Sequence, residues 1–536
     1  MKTIKHCFTK KSRALWLAIL AVLVVTSCTK EFKVYNTNPN AVTEAQLKGD
    51  GQNVGGFFPD METSVMRIVD WEYQVQQNLN ADFFSGYMMS ADAFGGNNNT
   101  TYALRSDWNT SAFDEPNQHI MSNWLQIKNR AQTSTPDFYA VALIIKVEAM
   151  HRVSDIFGPI PYTKFGSAAF SIPYDSQQAT YTTFFNELDT AVNNLTKYVT
   201  TNPGATPFTK FDLIYGGDYK QWIKFANTLR LRLAMHIVYA DAATAKAQAE
   251  KAVANSYGLL STPADDALVN MTNGVTYQNP LSTITHAWGD VSMGAPLESI
   301  LEGYNDPRIS AYTQPSTEVP GAYKGIRLGV SYNGVSYSNF SQLNIALTDK
   351  LRWMEASESF FLRAEGALRG WNMGSGTAQS FYEQGITLSF QERGVALPSG
   401  YLTDATSTAA PYVDTQNAAN DIAASSPYLN KITIKWNAGD SFEKNLQRII
   451  TQKWIAMFPD GQEAWTEYRR TGYPVLFPVI NNNSNGVINS VLGIRRLPFA
   501  QSEVSNNAAE VQKAVTLLGG PDNGGTKLWW DKNPNH

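Results

Sequence analysis

The chain has 536 residues, of which 43% are hydrophobic, 12% aromatic and 17% charged, with a formal net charge of −4 and two cysteines. That length buries a large core, and the aromatic content excludes a disordered chain. A weak negative charge excludes general nucleic-acid binding, which needs clustered Lys and Arg, and two Cys exclude a four-thiolate zinc site or a disulfide-dense scaffold.

At the N-terminus, Lys2, Lys5, Lys10, Lys11 and Arg13 precede twelve uninterrupted apolar residues, 14–25. A membrane-crossing helix needs roughly 20, so this stretch reads as the core of a secretory signal. Val25-Thr26-Ser27-Cys28 then places small residues before a cysteine and resembles a bacterial lipobox. The resemblance implies a signal peptide over 1–27 and lipidation of Cys28. Residues 28–50 are polar, with Asn36-Thr37-Asn38-Pro39-Asn40, and read as a tether; 51–536 reads as one folded domain. Loss of residues 1–27 removes five basic and no acidic residues, taking the formal charge from −4 to −9.

Helical periodicity recurs along the body. Segments 137–157 and 180–199 are the first two helices expected. Asp218 is placed to cap a third, over 219–239, whose apolar positions Trp222, Ala226, Leu229, Leu233 and Ile237 step by three and four. The Ala-rich segment 242–254 completes a hairpin with it. Ala356, Phe360, Ala364 and Leu368 mark a face within 352–369, Gly370 stops that helix, and Glu365 and Arg369 form an i,i+4 pair. Segments 378–393 and 442–458 follow. The fold class expected is mainly α: a tetratricopeptide-like scaffold of helical hairpins, without a clean 34-residue period, carrying long irregular loops.

Those loops, 85–113, 271–294 and 321–344, mix Gly, Asn, Ser and Thr with aromatics. Asn333-Gly334 predicts a type I′ turn and a small β-hairpin, pairing Tyr332 with Val335 and Val330 with Tyr337. Alternation by two then sets Tyr332 and Tyr337 diagonally on one face.

Enzyme templates are missing: no G-x-S-x-G, H-E-x-x-H, Walker A or C-x-x-C sequence occurs. Gly519, Gly520 and Gly524 read as a surface turn, His151 with Asp155 as a structural hydrogen bond, and Arg230 and Arg232 as partners in interhelical ion pairs. Glycosidase carboxylates need spatial rather than sequence spacing, so Asp107, Asp114, Glu115 and Asp290 keep that alternative open. The aromatics are more informative. A pyranose has an apolar face for an aromatic ring and hydroxyl edges for Asn, Asp or Ser. Tyr87, Phe94, Tyr102, Trp108, Trp288 with Asp290, and the Tyr332/Tyr337 pair are the ligand-binding residues this chemistry nominates. No cofactor or metal is expected, and no EF-hand spacing is present.

The chain resembles the SusD/RagB family of outer-membrane nutrient-binding lipoproteins, in its second SusD-like branch. The matching strings run in order from 36–40 through Asp155-Ile156-Phe157-Gly158-Pro159-Ile160-Pro161-Tyr162 and Gly217-Asp218 with Trp222-Ile223-Lys224-Phe225-Ala226-Asn227. They continue through Phe361-Leu362-Arg363-Ala364-Glu365, Gln452-Lys453-Trp454, Glu463-Ala464-Trp465, Tyr468-Arg469-Arg470-Thr471-Gly472-Tyr473-Pro474 and Arg496-Leu497-Pro498 to Leu528-Trp529-Trp530-Asp531. The resemblance implies a surface-exposed lipoprotein that is not an enzyme. It implies oligosaccharide or oligopeptide binding and delivery to a SusC-like TonB-dependent barrel. A lipid-anchored glycoside hydrolase and a structural transporter subunit are the alternatives. The family strings fall on expected helices, so the nominated site residues rest on loop chemistry alone.

Overall fold

The computed structural model describes residues 51–536 except 94–95, 168, 170, 271–277 and 535. The signal, Cys28, the tether, Phe94 and part of the second loop lie outside the described residues. Cα proximity divides the chain into Met1–Gly56, whose described part, 51–56, holds the short helix Gln52–Gly55, and Phe57–His536, to which everything below belongs.

Eight helices carry the scaffold: α1 (Pro136–Phe157), α2 (Gln177–Thr201), α3 (Tyr219–His236), α4 (Ala242–Val253), α5 (Ala356–Leu368), α6 (Ala378–Glu392), α7 (Phe442–Ala456) and α8 (Gly461–Thr471). Consecutive helices pack as pairs, α1 on α2, α3 on α4 and α5 on α6, with α2 against α3 and α5 against α7. This is the predicted hairpin scaffold. Boundaries follow local chemistry. Asp218 accepts hydrogen bonds from the backbone N–H of Lys220 (2.8 Å) and Gln221 (3.4 Å), and Ser176 and Ser441 cap α2 and α7 in the same way. Gly370 follows α5 at φ 77°, the left-handed conformation that ends helices. The helix expected from residue 352 begins at Ala356 because Arg352–Met354 is a strand.

α1 is buried along almost its entire length, and so are its charged residues. They are paired in three dimensions. Arg232 of α3 binds Glu358 of α5 through Nε at 2.9 Å and reaches Glu148 of α1 at 3.3 Å. Lys453 of α7 lies 3.2 Å from Glu358, 3.0 Å from Glu463 and 3.3 Å from Glu467. His236 spans Glu463 (3.0 Å) and Asp155 (3.3 Å), and the expected His151–Asp155 bond is present at 3.1 Å. Arg230 meets Asp189 of α2 at 2.6 Å, and Glu365 and Arg369 form their pair at 2.9 Å. Burying ions this way is tolerable only when each finds an opposite charge.

The described strands are few: β1 (Met88–Ser90), β2 (Ala267–Leu268), β3 (Val291–Met293) and β4 (Arg352–Met354), pairing β1 with β3 and β2 with β4, both antiparallel. The predicted hairpin at 330–337 does not form. The turn exists, with Val335 N–H donating to Tyr332 O at 3.4 Å, but only Gly334 is left-handed, at φ 75°. That is the pattern of a type II turn, which splays its arms, whereas type I′ requires both central residues left-handed. The arms pack instead into a small core with Met89, Ala91, Ile326, Val330 and Phe340. Tyr332 and Tyr337 still meet on one face, edge to face with ring centroids 5.9 Å apart.

Candidate functional site

The three loops of the sequence reading are woven together by the β1–β3 ribbon, in the register Met88↔Met293, Met89↔Ser292 and Ser90↔Val291. Beyond the ribbon, Gly294 N–H donates to Tyr87 O at 2.8 Å, and Ile326 N–H donates to Met293 O at 2.8 Å, bringing in the third loop. A Cβ at Gly294 would lie 2.3 Å from Gly86 O, so the crossing requires glycine.

This weave opens an amide-lined cradle of about 460 Å³. Ser90, Asp92, Asn97, Asn98 and Thr101 come from the first loop, and Ser331, Tyr332 and Asn333 from the third. Asn481 and Asn483 come from a segment the sequence reading did not nominate. Its composition, Asn481-Asn482-Asn483-Ser484-Asn485-Gly486, was the available signal: a dense run of turn-forming amides.

Hydrogen bonds hold the wall in place. Asn483 N–H donates to Thr101 O at 2.7 Å, its side-chain amide donates to Asn97 Oδ1 at 2.8 Å, and Asn481 Nδ2 donates to Gly329 O at 2.7 Å. Asn98 Oδ1 accepts from both the backbone and the hydroxyl of Thr100, each at 2.8 Å. Tyr332 donates its hydroxyl to Ser90 O at 2.9 Å, tying the aromatic floor to the ribbon. Burial, with Tyr337 and Asp92 nearby, pushes the Tyr332 hydroxyl well above its ordinary pKa, so it stays a neutral donor. Asp92 is the one ionisable carboxylate among the described lining residues.

The nominated residues divide. Tyr332 lines the cradle. Trp288 is 43% exposed and follows a short π-helical turn, Thr283–Ala287, that leads into β3. Asp290 accepts from Gln74 Nε2 at 2.7 Å, and its carbonyl accepts from Ala91 N–H at 3.4 Å. Trp108 is half-buried under the Arg105 guanidinium, 4.6 Å from the ring centroid. Three others are buried, where they were expected to face the loop surface. Tyr87 is fully buried and donates its hydroxyl to Trp454 O. Tyr337 is fully buried and donates to Asp414 Oδ2 at 2.9 Å. Tyr102 is buried at φ 60° in the wall between Trp465, Tyr468 and Gly493. In each case the ring completes the core beneath its own loop, because a large apolar side chain gains more by leaving water than by facing it.

The carboxylates kept open for hydrolysis are distributed. Asp107 pairs with Arg105, Asp114 accepts from Ser502 at 2.6 Å, and Glu115 lies 3.4 Å from Arg67. None of the three lines the cradle. Two buried groups have the ligand types for a metal, His151 with Asp155 and His236, and His236 with Glu463 and Glu467. Burial opposes charge on His236, but Glu463 and Asp155 outweigh it and raise its pKa to about 9. A metal at either group would have to displace the proton that these carboxylates hold on His236.

A family model described as SusD-like, Susd and RagB outer membrane lipoprotein, matches residues 34–531. The chain belongs to the SusD-like family. A chitin-binding SusD homologue from Flavobacterium johnsoniae is 47% identical, with TM-score 0.86, over 90% of this chain and 100% of that one. A SusD homologue from Bacteroides vulgatus is 37% identical, with TM-score 0.85, covering 91% of this chain and 100% of its own. A SusD-like protein from Bacteroides thetaiotaomicron is 34% identical, with TM-score 0.83, over 90% and 99%. No curated protein matches. Among the described residues of this SusD-like chain, no helix is long and apolar enough to cross a membrane.

Proposed function

We propose that this SusD-like protein is a cell-surface lipoprotein, anchored through Cys28, that binds a neutral oligosaccharide and passes it intact to a SusC-like TonB-dependent barrel. The carrying observation is the cradle: amides and hydroxyls, each able to donate and accept, arranged around the half-buried Tyr332. A sugar offers an apolar face to the ring and hydroxyls to the amides, while the scarcity of charge disfavours an ionic ligand. The kinship with a chitin-binding homologue makes a β-linked N-acetylglucosamine chain the first ligand to test.

Calorimetry of the full chain in detergent, titrated with chitohexaose, cellohexaose and a neutral hexapeptide, tests the reading. Chitohexaose should bind and be recovered uncleaved, and Tyr332→Ala should weaken binding by about tenfold, as loss of a stacked aromatic does. Release of shorter sugars would replace this reading with a lipid-anchored hydrolase. Binding of the peptide alone would move the ligand class.

A further inference from the structure

Asn-Gly occurs four times in the sequence, at 273–274, 333–334, 485–486 and 523–524, and the first lies outside the described residues. This dipeptide carries its own chemistry, because glycine lacks the Cβ that would keep its backbone nitrogen away from the preceding side chain. The three described copies differ in how firmly each backbone is held. Gly524 is buried, with Ile488 Cδ1 2.7 Å from where a Cβ would stand, and Asn523 Oδ1 accepts from Gly525 N–H at 3.0 Å. The turn at Asn485-Gly486 is closed by Val487 N–H to Ser484 O at 3.2 Å. It is clamped further by Ile488 N–H to Ser484 Oγ at 3.0 Å and by Asn482 Nδ2 to Ile488 O at 2.7 Å.

At Asn333-Gly334 both residues are exposed. The arms of this turn are anchored, Tyr332 by its hydroxyl on Ser90 O and Tyr337 by its hydroxyl on Asp414, but the tip is not. Its two closing bonds, Val335 N–H to Tyr332 O and Asn333 N–H to Ser331 Oγ, are each 3.4 Å, near the long limit of a hydrogen bond. Among the described residues nothing binds the Asn333 side-chain amide, and no atom beyond the chain neighbours comes within 4 Å of a Cβ placed on Gly334.

We infer that Asn333 is a site of spontaneous deamidation, which turns one wall amide of the cradle into a carboxylate. Gly334 N gives its proton to a solvent base and attacks Asn333 Cγ. The N–Cγ bond forms, the Cγ–Nδ2 bond breaks, and ammonia departs to leave a succinimide. Water then opens the ring at either carbonyl, giving aspartate or isoaspartate, so one water is consumed and one ammonia released. Reaching Cγ requires the tip to rotate, which the clamped turn at 485–486 and the packed one at 523–524 resist. Asparagine donates and accepts, whereas a carboxylate only accepts. A ligand hydroxyl held by Nδ2 therefore loses its donor, and the cradle gains a second negative charge beside Asp92. That loss of affinity rests on the glycan-binding reading above; the modification itself does not.

Peptide mass spectrometry of the full chain, aged in mildly alkaline buffer, tests it, with the chain aged in denaturant as the reference. Unfolded, Asn333, Asn485 and Asn523 should convert at similar rates, because the dipeptide is the same. Folded, Asn333 should convert about tenfold faster than either of the others, and faster still as pH rises, since the attacking nitrogen must lose a proton. Chitohexaose affinity should fall several-fold in step with conversion. Asn333→Asp should show that loss without ageing, and Asn333→Gln, whose longer side chain cyclises more slowly, should age without it. Equal rates at the three sites in the folded chain, or the slowest rate at Asn333, overturn the site. Full conversion with unchanged chitohexaose affinity overturns its effect on the cradle. If fresh wild type binds no chitohexaose, the glycan-binding reading falls, while the three conversion rates still decide the modification.

Discussion

The helical interior and the cradle handle polarity in opposite ways. Inside, Arg232, Lys453, His236, Glu358 and Glu463 are full charges withdrawn from water, each held by partners on other helices. At the cradle the described polar groups, Asp92 apart, are amides and hydroxyls, held mainly by backbone carbonyls and by each other. Charges make a strong but rigid lattice, since removing one member strands another in low dielectric. Neutral amides release water at modest cost and accept a neutral partner in its place. The difference teaches that in this molecule charge builds the frame, and neutral polarity forms the surface offered to a ligand.

Perturbing each region separately should keep stability and affinity apart. Arg232→Met leaves Glu358 and Glu148 facing each other without their shared cation, and should cost about 3–5 kcal/mol in chemical denaturation. A second large effect is the pH profile. His236 is raised to about 9 in the fold, above its unfolded value, so its stabilisation is complete below about pH 6.5 and lost as pH rises through 9. The melting temperature should fall by several degrees between pH 7 and 10, and His236→Gln should flatten that slope. Tyr87→Phe removes one buried hydroxyl bond and should cost about 1 kcal/mol with sugar affinity unchanged; lowered affinity would return Tyr87 to the site. Asn483→Ala reverses the pattern. Its stability should stay within about 0.5 kcal/mol of wild type while calorimetry shows several-fold weaker binding. A large loss of stability there would blur the division.

Much of the frame was readable in advance because its helices carry their own punctuation. Asp218, Gly370 and the three- and four-residue apolar steps act within a turn or two of the backbone, so no distant partner is needed to recognise them. The π-helix Gln74–Asp82 was invisible for the opposite reason. Gln76, Gln77, Asn78 and Asn80 are polar by sequence, yet they are buried and take part in hydrogen bonds such as Arg152 Nη2 to Gln77 Oε1 at 2.7 Å. Hydropathy reports which side chains prefer water, not which have found a replacement for it. The same gap explains the site. Tyr332 and Tyr337 are chemically alike and five residues apart, but one lines the cradle and the other lies under it.

What the sequence determined by itself was local and additive: caps, helical faces, the position though not the type of the turn at Asn333-Gly334, and a low overall charge. Only the tertiary structure decided which loop residues meet. Asn97 and Asn483 are 386 positions apart, and their contact depends on where the helical scaffold sets the loop ends. A ring's exposure depends on the same thing, because burial is a property of the surroundings that arrive from elsewhere in the chain. That is why Trp71 stands in solvent while Tyr87 is sealed against Trp454.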